Sequence, residues 1–231
     1  MNNYLCGGFE KMSLLDYEGK ITCTLFLNGC NFRCPWCHNS SLINFEGEKL
    51  NLSEFFSYLE KRKNILEAVC ISGGEPTLNP NLKDIIINIK KLGYLVKIDT
   101  NGTNPDIIKD LLNNNLIDYI AMDIKNDELN YPITIGLEKI NFNNIKESIN
   151  IIMNSNIDYE FRTTLVKELH TEESIKNIKE LIKGANKYYL QKFILRETCL
   201  NQSLTEIDIN TANHYKTILS ESIKNVYLRG Y

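Results

Sequence analysis

Strand-like and helix-like segments alternate along almost the whole sequence, and this alternation limits the possible folds more than any other feature. Runs rich in β-branched and aromatic residues are each followed by a segment whose apolar residues have helical spacing. The predicted strands cover residues 21–28, 68–72, 94–99, 119–124, 159–166, 187–195 and 226–228. The predicted helices cover residues 52–63, 81–92, 106–115, 143–154, 172–183 and 208–223, with Ser53 as the N-cap of the first. Such a series of βα units predicts a mostly parallel sheet covered by helices.

The number of βα units decides between related architectures. A full (βα)8 barrel takes about 250 residues, whereas this chain has roughly six units in 231 residues. We therefore expect an α/β fold that is either a partial (βα)6 barrel or an open, doubly wound parallel sheet. No linker, low-complexity tract or fixed-period repeat interrupts the pattern, so residues 1–231 are expected to form a single domain.

Charge and hydropathy exclude several functional classes. The net charge is −3, whereas a protein that binds nucleic acid through bulk charge is usually basic, so no nucleic-acid partner is expected. No run of roughly eighteen apolar residues is present, so no membrane span is expected. Residues 1–10 lack the basic and apolar regions of a secretory signal, which favours a cytoplasmic location.

The cysteines are clustered in a way that indicates a metal site. There are seven, an odd number that argues against a fully paired disulfide scaffold. Cys30, Cys34 and Cys37 lie together in the segment GCNFRCPWCHN at 29–39. Structural zinc needs a fourth ligand, and His38 is an awkward one because it is adjacent to Cys37. Three thiolates with one vacancy fit a 4Fe–4S cluster with an open iron, and a structural zinc-binding module remains the alternative.

Unusual polar residues follow the next three predicted strands. These segments are SGGEP at 72–76, DTNG at 99–102 and MDIK at 122–125. Parallel strands end at the same edge of a sheet, so we expect these residues to face one cavity with the cysteine loop. Paired glycines allow a close backbone approach, and Asp and Thr oxygens are ligands for hard cations. The alternatives are ordinary turns at the glycines and a surface ion pair between Asp123 and Lys125.

The spacing C-x-x-x-C-x-aromatic-C, with Trp36 as the aromatic residue, resembles the signature of the radical S-adenosylmethionine (radical SAM) superfamily. The string CPWCHN, which includes His38 and Asn39, and the DTNG segment resemble the glycyl-radical-enzyme activating enzymes within it. Together with SLLDYEGK at 13–20, these strings are most similar to the second type of activating protein for anaerobic ribonucleoside-triphosphate reductase. Glu18 stands where that family often has proline.

This resemblance implies a radical SAM core with one 4Fe–4S cluster on Cys30, Cys34 and Cys37 and with S-adenosylmethionine at the open iron. It also implies that the glycine turn and Glu75 hold the methionyl amino group. A monovalent cation would lie near the methionyl carboxylate, bound by Asp99, Thr100 and Asp123. The full set of cofactor-binding residues expected from the motifs is Trp36, His38, Asn39, Gly73, Gly74, Glu75, Asp99, Thr100, Asn101, Asp123, Lys125, Arg162 and Gln191.

Two of these residues lie on later strands. Arg162 matches a family arginine near the methionyl carboxylate, and the alternative is a structural ion pair with an acidic neighbour. Gln191 is expected to touch the adenosine. Related activating enzymes often have a histidine nearby, whereas residues 192–194 of this chain are Lys, Phe and Ile.

The implied activity is that of an oxidoreductase that reductively cleaves S-adenosylmethionine to a 5′-deoxyadenosyl radical. The radical would take a hydrogen from a glycine of a partner enzyme, expected to be anaerobic ribonucleoside-triphosphate reductase, with flavodoxin or ferredoxin as electron donor. No acidic or basic catalytic side chain is needed. The alternatives are activation of a pyruvate formate-lyase type of enzyme and small-molecule radical chemistry such as deazapurine synthesis.

The remaining cysteines have no expected ligand role. Residues 40–52 contain no cysteine, so no inserted ferredoxin-like segment is expected. Cys23 and Cys70 are predicted to be core residues of strands. Cys6 and Cys199 have no assigned role.

Overall fold

A computed structural model of the chain describes residues 5–44 and 50–231. The strands are β1 Leu5–Cys6, β2 Gly8–Ser13, β3 Thr22–Leu27, β4 Leu50–Asn51, β5 Ala68–Gly73, β6 Leu95–Thr100, β7 Tyr119–Asp123, β8 Asp158–Leu165, β9 Tyr188–Lys192 and β10 Val226–Arg229. The helices are α1 Leu52–Lys61, α2 Leu82–Lys91, α3 Pro105–Asn113, α4 Tyr131–Thr134, α5 Phe142–Met153, α6 Glu172–Leu181 and α7 Ile209–Leu219. Among the described helices, none combines the length and the hydropathy that crossing a bilayer requires.

The predicted α/β fold with a mostly parallel sheet is confirmed. The described residues form an eight-stranded sheet in the order β10-β9-β8-β7-β6-β5-β3-β2. From β3 to β10 the neighbouring strands are parallel, whereas β2 is antiparallel to β3. Because β2 and β10 are the two edges, the sheet is a partial barrel that stays open between them.

The alternating side chains of the strands have opposite chemistry. One set is apolar and fully buried, for example Val96 and Ile98 on β6, and it packs in the hydrophobic core. The other set, which includes Asp99 on β6 and Arg162 on β8, lines a cavity inside the curved sheet. Since successive side chains point to opposite faces, the barrel has a polar interior and an apolar exterior beneath its helices.

The boundaries of the predicted elements agree with the structure to within a few residues, but the first helix cap is wrong. Asn51, not Ser53, is the N-cap of α1, and its side chain accepts a hydrogen bond from the Ser53 N–H at 2.9 Å. The backbone of Asn51 is extended, so the helix begins one residue before Ser53. The sequence interpretation also missed the antiparallel edge strand β2 and the small β1–β4 sheet.

The two strand cysteines are both fully buried, as predicted, but in different surroundings. Cys23 belongs to the apolar core. Burial raises the pKa of the Cys70 thiol well above its usual range, and the charges of Asp99, Lys97 and Arg162 also act on it. Cys70 therefore lies by the polar interior of the barrel.

Candidate functional site

One cavity of about 310 Å³ lies at the carboxyl ends of the parallel strands. Every site residue expected from the sequence lines it: Cys30, Cys34, Trp36, Cys37, His38, Asn39, Gly73, Gly74, Glu75, Asp99, Thr100, Asn101, Asp123, Lys125, Arg162 and Gln191. The cavity is also lined by Ser72, which belongs to the predicted SGGEP segment, and by Phe32, Ile43 and Thr164, which the sequence interpretation did not name as site residues. Thr164 was detectable, because it lies two residues from Arg162 on the same face of β8.

The cysteine loop places three free thiols on the cavity wall. Burial raises the pKa of the Cys34 thiol to about 12 and also raises the pKa of the Cys30 and Cys37 thiols. Thiolates are the form that binds metal, and a metal centre supplies the positive charge that favours deprotonation in such a site. The donor set therefore fits a metal centre.

The three thiols could hold either a single metal ion or a cluster. In the described ranges 5–44 and 50–231, no group of three or more His, Cys, Asp or Glu side chains is arranged to hold a single metal ion. A 4Fe–4S cluster has one thiolate on each ligated iron, so its ligands surround a larger body. Three thiols that line one cavity fit that donor set.

The cysteine loop is held against the second strand end by its backbone. The N–H of Glu75 donates to the carbonyl of Gly29 at 2.7 Å, and that of Gly74 donates to Leu27 at 2.9 Å. A Cβ at position 74 would overlap the Gly29 carbonyl, so only glycine allows this approach. The glycine turn was expected to let the backbone approach a ligand, and the close approach that the structure shows at Gly74 is to another loop of the chain.

Two distant segments also hold the cysteine loop. On one side, the Arg33 N–H donates to the carbonyl of Ile135 at 2.8 Å. On the other side, the β9–α7 loop contributes the carbonyl of Ile194, 2.8 Å from the His38 Nε2 atom, which donates to it. In the same loop the Asn201 N–H donates to the Pro35 carbonyl at 2.9 Å. Such long-range contacts leave no local pattern in the sequence.

Cys199, which had no assigned role, lies in the β9–α7 loop where that loop contacts the cysteine loop. It is buried, and its Sγ atom lies 3.7 Å from the carbonyl oxygen of Trp36 as a weak donor. The structure thus places a fourth cysteine behind the cysteine loop, in a packing position outside the cavity wall.

Glu75 joins two walls of the cavity. It is almost completely buried, and its carboxylate accepts from the Thr77 N–H at 3.0 Å, the Thr100 hydroxyl at 2.8 Å and the Asn101 N–H at 2.6 Å. Burial raises the pKa of Glu75, and these hydrogen bonds oppose that rise. The side chain therefore fixes the glycine turn after β5 to the end of β6.

The side chain of Asn101 connects the end of β6 to the cysteine loop. Its Nδ2 atom donates to Asn31 Oδ1 at 2.8 Å, and the Asn31 amide donates to the Thr103 hydroxyl at 2.9 Å. Asn101 also accepts from the Thr103 hydroxyl at 2.7 Å. Asn101, which the sequence marks as a turn residue, thus also connects the end of β6 to the cysteine loop.

Arg162 lies between the two carboxylates that the sequence assigned to a cation. Its Nε atom is 2.8 Å from Asp123 Oδ1 and its Nη1 atom is 3.3 Å from Asp99 Oδ1. Lys125 pairs with Asp123 at 2.9 Å. Because Asp123 and Lys125 line the cavity, the alternative of a surface ion pair is wrong.

The electrostatics of the site keep these carboxyl groups ionised. Burial alone would raise the pKa of Asp123, but the charges of Arg162 and Lys125 hold it well below its usual range. Burial is likewise outweighed at Asp99, where the charges of Arg162 and Lys97 lower the pKa. The cavity therefore contains fixed charges of both signs, which suits a zwitterionic ligand.

Comparison with known proteins agrees with this geometry. A family model described as the radical SAM superfamily matches residues 24–183. A Methanocaldococcus jannaschii protein named as a glycyl-radical enzyme activating enzyme is 36% identical over 197 residues, which are 82% of this chain and 80% of that protein. The pyruvate formate-lyase-activating enzyme of Clostridium pasteurianum is 30% identical over 183 residues, 76% of this chain and 74% of that enzyme.

The fold has counterparts among solved structures. Streptococcus suis SuiB bound to S-adenosylmethionine superposes with a TM-score of 0.67 at 13% identity, over 87% of this chain and 48% of SuiB. At this level of identity the likeness concerns the fold alone.

Proposed function

The chain belongs to the radical SAM superfamily, and from this premise we propose that it activates a glycyl radical enzyme. The superfamily implies a 4Fe–4S cluster and S-adenosylmethionine as cofactors. The observation that carries the proposal is the single cavity that collects the three loop cysteines, the glycine turn and the carboxylates of β6 and β7. The two relatives named as activating enzymes support a protein substrate with a glycyl radical site.

In this proposal Cys30, Cys34 and Cys37 hold the cluster and leave one iron open. When bound, the cofactors supply the reductive cleavage of S-adenosylmethionine that yields a 5′-deoxyadenosyl radical. The chain's own groups bind and orient. The glycine turn presents backbone groups to the methionyl amine, and Gln191 lies by the adenosine.

Arg162 and Lys125 are the proposed partners of the methionyl carboxylate. Both cations are already fixed by ion pairs with Asp123, at 2.8 Å and 2.9 Å. A carboxylate that enters the cavity therefore meets donors that need little reorganisation. Trp36 and Phe32 are both buried and add apolar surface to the cavity wall that the loop cysteines share.

The proposed partner is anaerobic ribonucleoside-triphosphate reductase, because the SLLDYEGK and CNFRCPWCHN strings resemble those of its activating proteins. An enzyme of the pyruvate formate-lyase type is the second candidate, since a relative that matches 76% of this chain carries that name. Flavodoxin or ferredoxin is the proposed electron donor, and residues 1–231 are proposed to act as one domain.

The first experiment tests the radical chemistry. The protein is reconstituted with iron and sulfide without oxygen, reduced, and given S-adenosylmethionine. We expect a brown protein that produces 5′-deoxyadenosine. Cys34→Ala should lose both properties, whereas Cys23→Ala, which changes a buried cysteine of the apolar core, should keep them. A colourless protein that binds zinc and releases no 5′-deoxyadenosine would support the zinc module instead.

The second experiment tests the partner. The reduced enzyme is mixed with S-adenosylmethionine and, separately, with each purified glycyl radical enzyme encoded by the same genome. We expect the electron paramagnetic resonance signal of a glycyl radical to appear in the ribonucleotide reductase. A signal in a formate-lyase type alone would select the second candidate, and 5′-deoxyadenosine without a radical in any of them would contradict activation.

A further inference from the structure

Lys97 is a buried ammonium group next to the cavity that the sequence interpretation did not single out. It lies two residues before Asp99 on β6, so both side chains point to the same face. The side chain is only 4% exposed, and its Nζ atom is 3.3 Å from Asp99 Oδ1 and 3.9 Å from Glu160 Oε1. Nζ also donates to the carbonyl oxygen of Asp16 and lies 5.6 Å from the ring centre of Tyr119. The ammonium is therefore fixed from several sides.

This ammonium belongs to a continuous network of ion pairs inside the barrel. Among the described residues, the cations of the network are Lys97, Lys125, Arg162 and Arg229, and its carboxylates are Asp99, Asp123 and Glu160. Within this network Asp99 and Asp123 are already flanked by Lys97, Arg162 and Lys125. These fixed positive charges would repel an added metal cation and would attract a further carboxylate.

The expected ligands of a monovalent cation already have partners within the chain. Arg162 contacts both Asp99 and Asp123, at 3.3 Å and 2.8 Å. The hydroxyl of Thr100 donates to Glu75 at 2.8 Å and accepts from the Gly102 N–H at 3.1 Å. The carboxylates that the resemblance assigned to a cation therefore already lie beside fixed cations of the chain, and the Thr100 hydroxyl already has hydrogen-bond partners.

We propose that Lys97, with Arg162, replaces a monovalent cation in this chain and acts as a positioning residue that holds Asp99 during binding of S-adenosylmethionine. The inference rests on the proposed binding of the methionyl carboxylate beside Asp99 and Asp123. Two buried carboxylates would repel that third one unless cations offset them. A lysine anchored in the barrel wall supplies this charge without an ion from solvent.

Other physical properties of Lys97 agree with this role. Burial favours a neutral amine, but the acidic neighbours Asp99, Cys70 and Glu160 together outweigh it and raise the pKa of Lys97 above its usual value. The oxygen Asp99 Oδ1 accepts no hydrogen bond among the described residues, although Lys97 and Arg162 both lie 3.3 Å from it. Its charge is thus offset by nearby cations rather than by aligned donors.

The test measures binding, so it does not depend on turnover. The reconstituted enzyme with an oxidised cluster is titrated with S-adenosylmethionine in choline chloride, potassium chloride and sodium chloride at equal ionic strength. We expect the dissociation constant of the unchanged protein to agree within about twofold in the three salts. A tightening of about fivefold or more by potassium or sodium would overturn the proposal.

Two substitutions test Lys97 directly. Lys97→Met removes the charge and fills the space, and Lys97→Ala leaves room for an ion. In choline chloride we expect both variants to bind about tenfold more weakly than the unchanged protein. Ammonium or potassium should restore binding by Lys97→Ala. Lys90→Met, which removes a partly exposed lysine paired with Asp118 at 2.8 Å, should bind like the unchanged protein in every salt.

The outcomes separate this inference from the proposed function. If either Lys97 variant has a native circular dichroism spectrum and binds as tightly as the unchanged protein in choline chloride, Lys97 has no such role. Weak binding by Lys97→Ala that neither ammonium nor potassium improves would also overturn the proposal. If the variants do not fold, the salt series on the unchanged protein still decides it. Failure of the unchanged protein to bind S-adenosylmethionine in any salt would instead contradict the proposed function.

Discussion

Gly74 lies so close to Gly29 that a side-chain carbon at position 74 would overlap the carbonyl oxygen of Gly29. This contact joins the turn after β5 to the start of the cysteine loop. The N–H of Glu75 donates to the same carbonyl oxygen at 2.7 Å, so the two loops share one rigid junction.

Gly74→Ala should therefore disturb the cysteine loop. The added methyl group cannot fit without a shift of the Gly29 backbone, and such overpacking typically costs about 1–3 kcal/mol. We expect a lower iron and sulfide content per chain after reconstitution. Gly93→Ala is the control, because a Cβ there meets nothing within 4 Å, although its φ of +93° makes the substitution strained. Equal iron content in the two variants would show that the contact between Gly74 and Gly29 does not hold the cysteine loop in place.

Asn31→Ala should loosen the cysteine loop from the other side. It removes the hydrogen bonds with Asn101 at 2.8 Å and with Thr103 at 2.9 Å. Each such bond contributes about 1 kcal/mol. We expect iron to be released to a chelator several times faster than from the unchanged protein. Asn141→Ala, which removes an exposed amide bonded only to Asn144 among the described contacts, should leave the release rate unchanged.

Asp123→Asn should destabilise the fold as well as the site. The substitution removes the carboxylate that pairs with Lys125, whereas Arg162 keeps Asp99 and Glu160 as neighbours. Breaking a fully buried pair costs about 3–5 kcal/mol. Because this site keeps some contact with solvent, we expect the free energy of unfolding in urea to fall by less, roughly 1–3 kcal/mol.

The control for Asp123→Asn is Asp110→Asn. Asp110 forms an exposed ion pair with Lys83 at 2.7 Å, and loss of such a pair costs less than about 1 kcal/mol. If the two variants lose the same free energy of unfolding, the interior ion pairs stabilise no more than a surface pair does.

His170 should make stability depend on pH. It is buried, its Nδ1 atom accepts from the Val166 N–H at 3.0 Å and its Nε2 atom donates to the Lys125 carbonyl at 2.9 Å. Burial lowers the pKa of His170 below its usual value. The unfolded chain, with a histidine pKa of about 6.5, takes up a proton first. The stability from this group is therefore fully present above about pH 6.5 and is lost as the pH falls towards the folded pKa.

The measurement is the free energy of unfolding in urea at a series of pH values from about 7.5 to 5.5. We expect it to fall more steeply for the unchanged protein than for His170→Gln, by up to about 1.4 kcal/mol per pH unit. His214→Gln, which changes an exposed histidine bound to Glu172, should retain the contribution of His170. Equal slopes for the unchanged protein and His170→Gln would contradict the prediction.

The fold was predictable because βα alternation is a local signal that repeats. Once the strands are parallel, their carboxyl ends must share one edge, and this is why Asp99 and Asp123 could be placed near the cysteine loop before any coordinates. The edge strand β2 was missed since its residues are mostly half-buried or exposed and carry no clear alternation.

The connections within the site were not predictable in the same way. The hydrogen bonds of Glu75 to Thr100 and Asn101 and the contact of His38 with Ile194 join residues far apart in sequence. Local patterns contain no information on such pairs. Lys97 is different, because its place two residues before Asp99 on a strand already puts it on the same face, and period-two counting would have found it.

Substitutions on a single strand fall into two groups, because alternate side chains point to opposite faces of the sheet. On β6, Val96 and Ile98 are packed against apolar neighbours, while Lys97 and Asp99 carry charge into the barrel. On this strand a replacement at an even position therefore changes the packing of the core, and a replacement at an odd position changes the charge inside the barrel. A library that varies only the inward positions would search for new chemistry on an unchanged framework, and one that varies only the outward positions would tune heat resistance with the chemistry left in place.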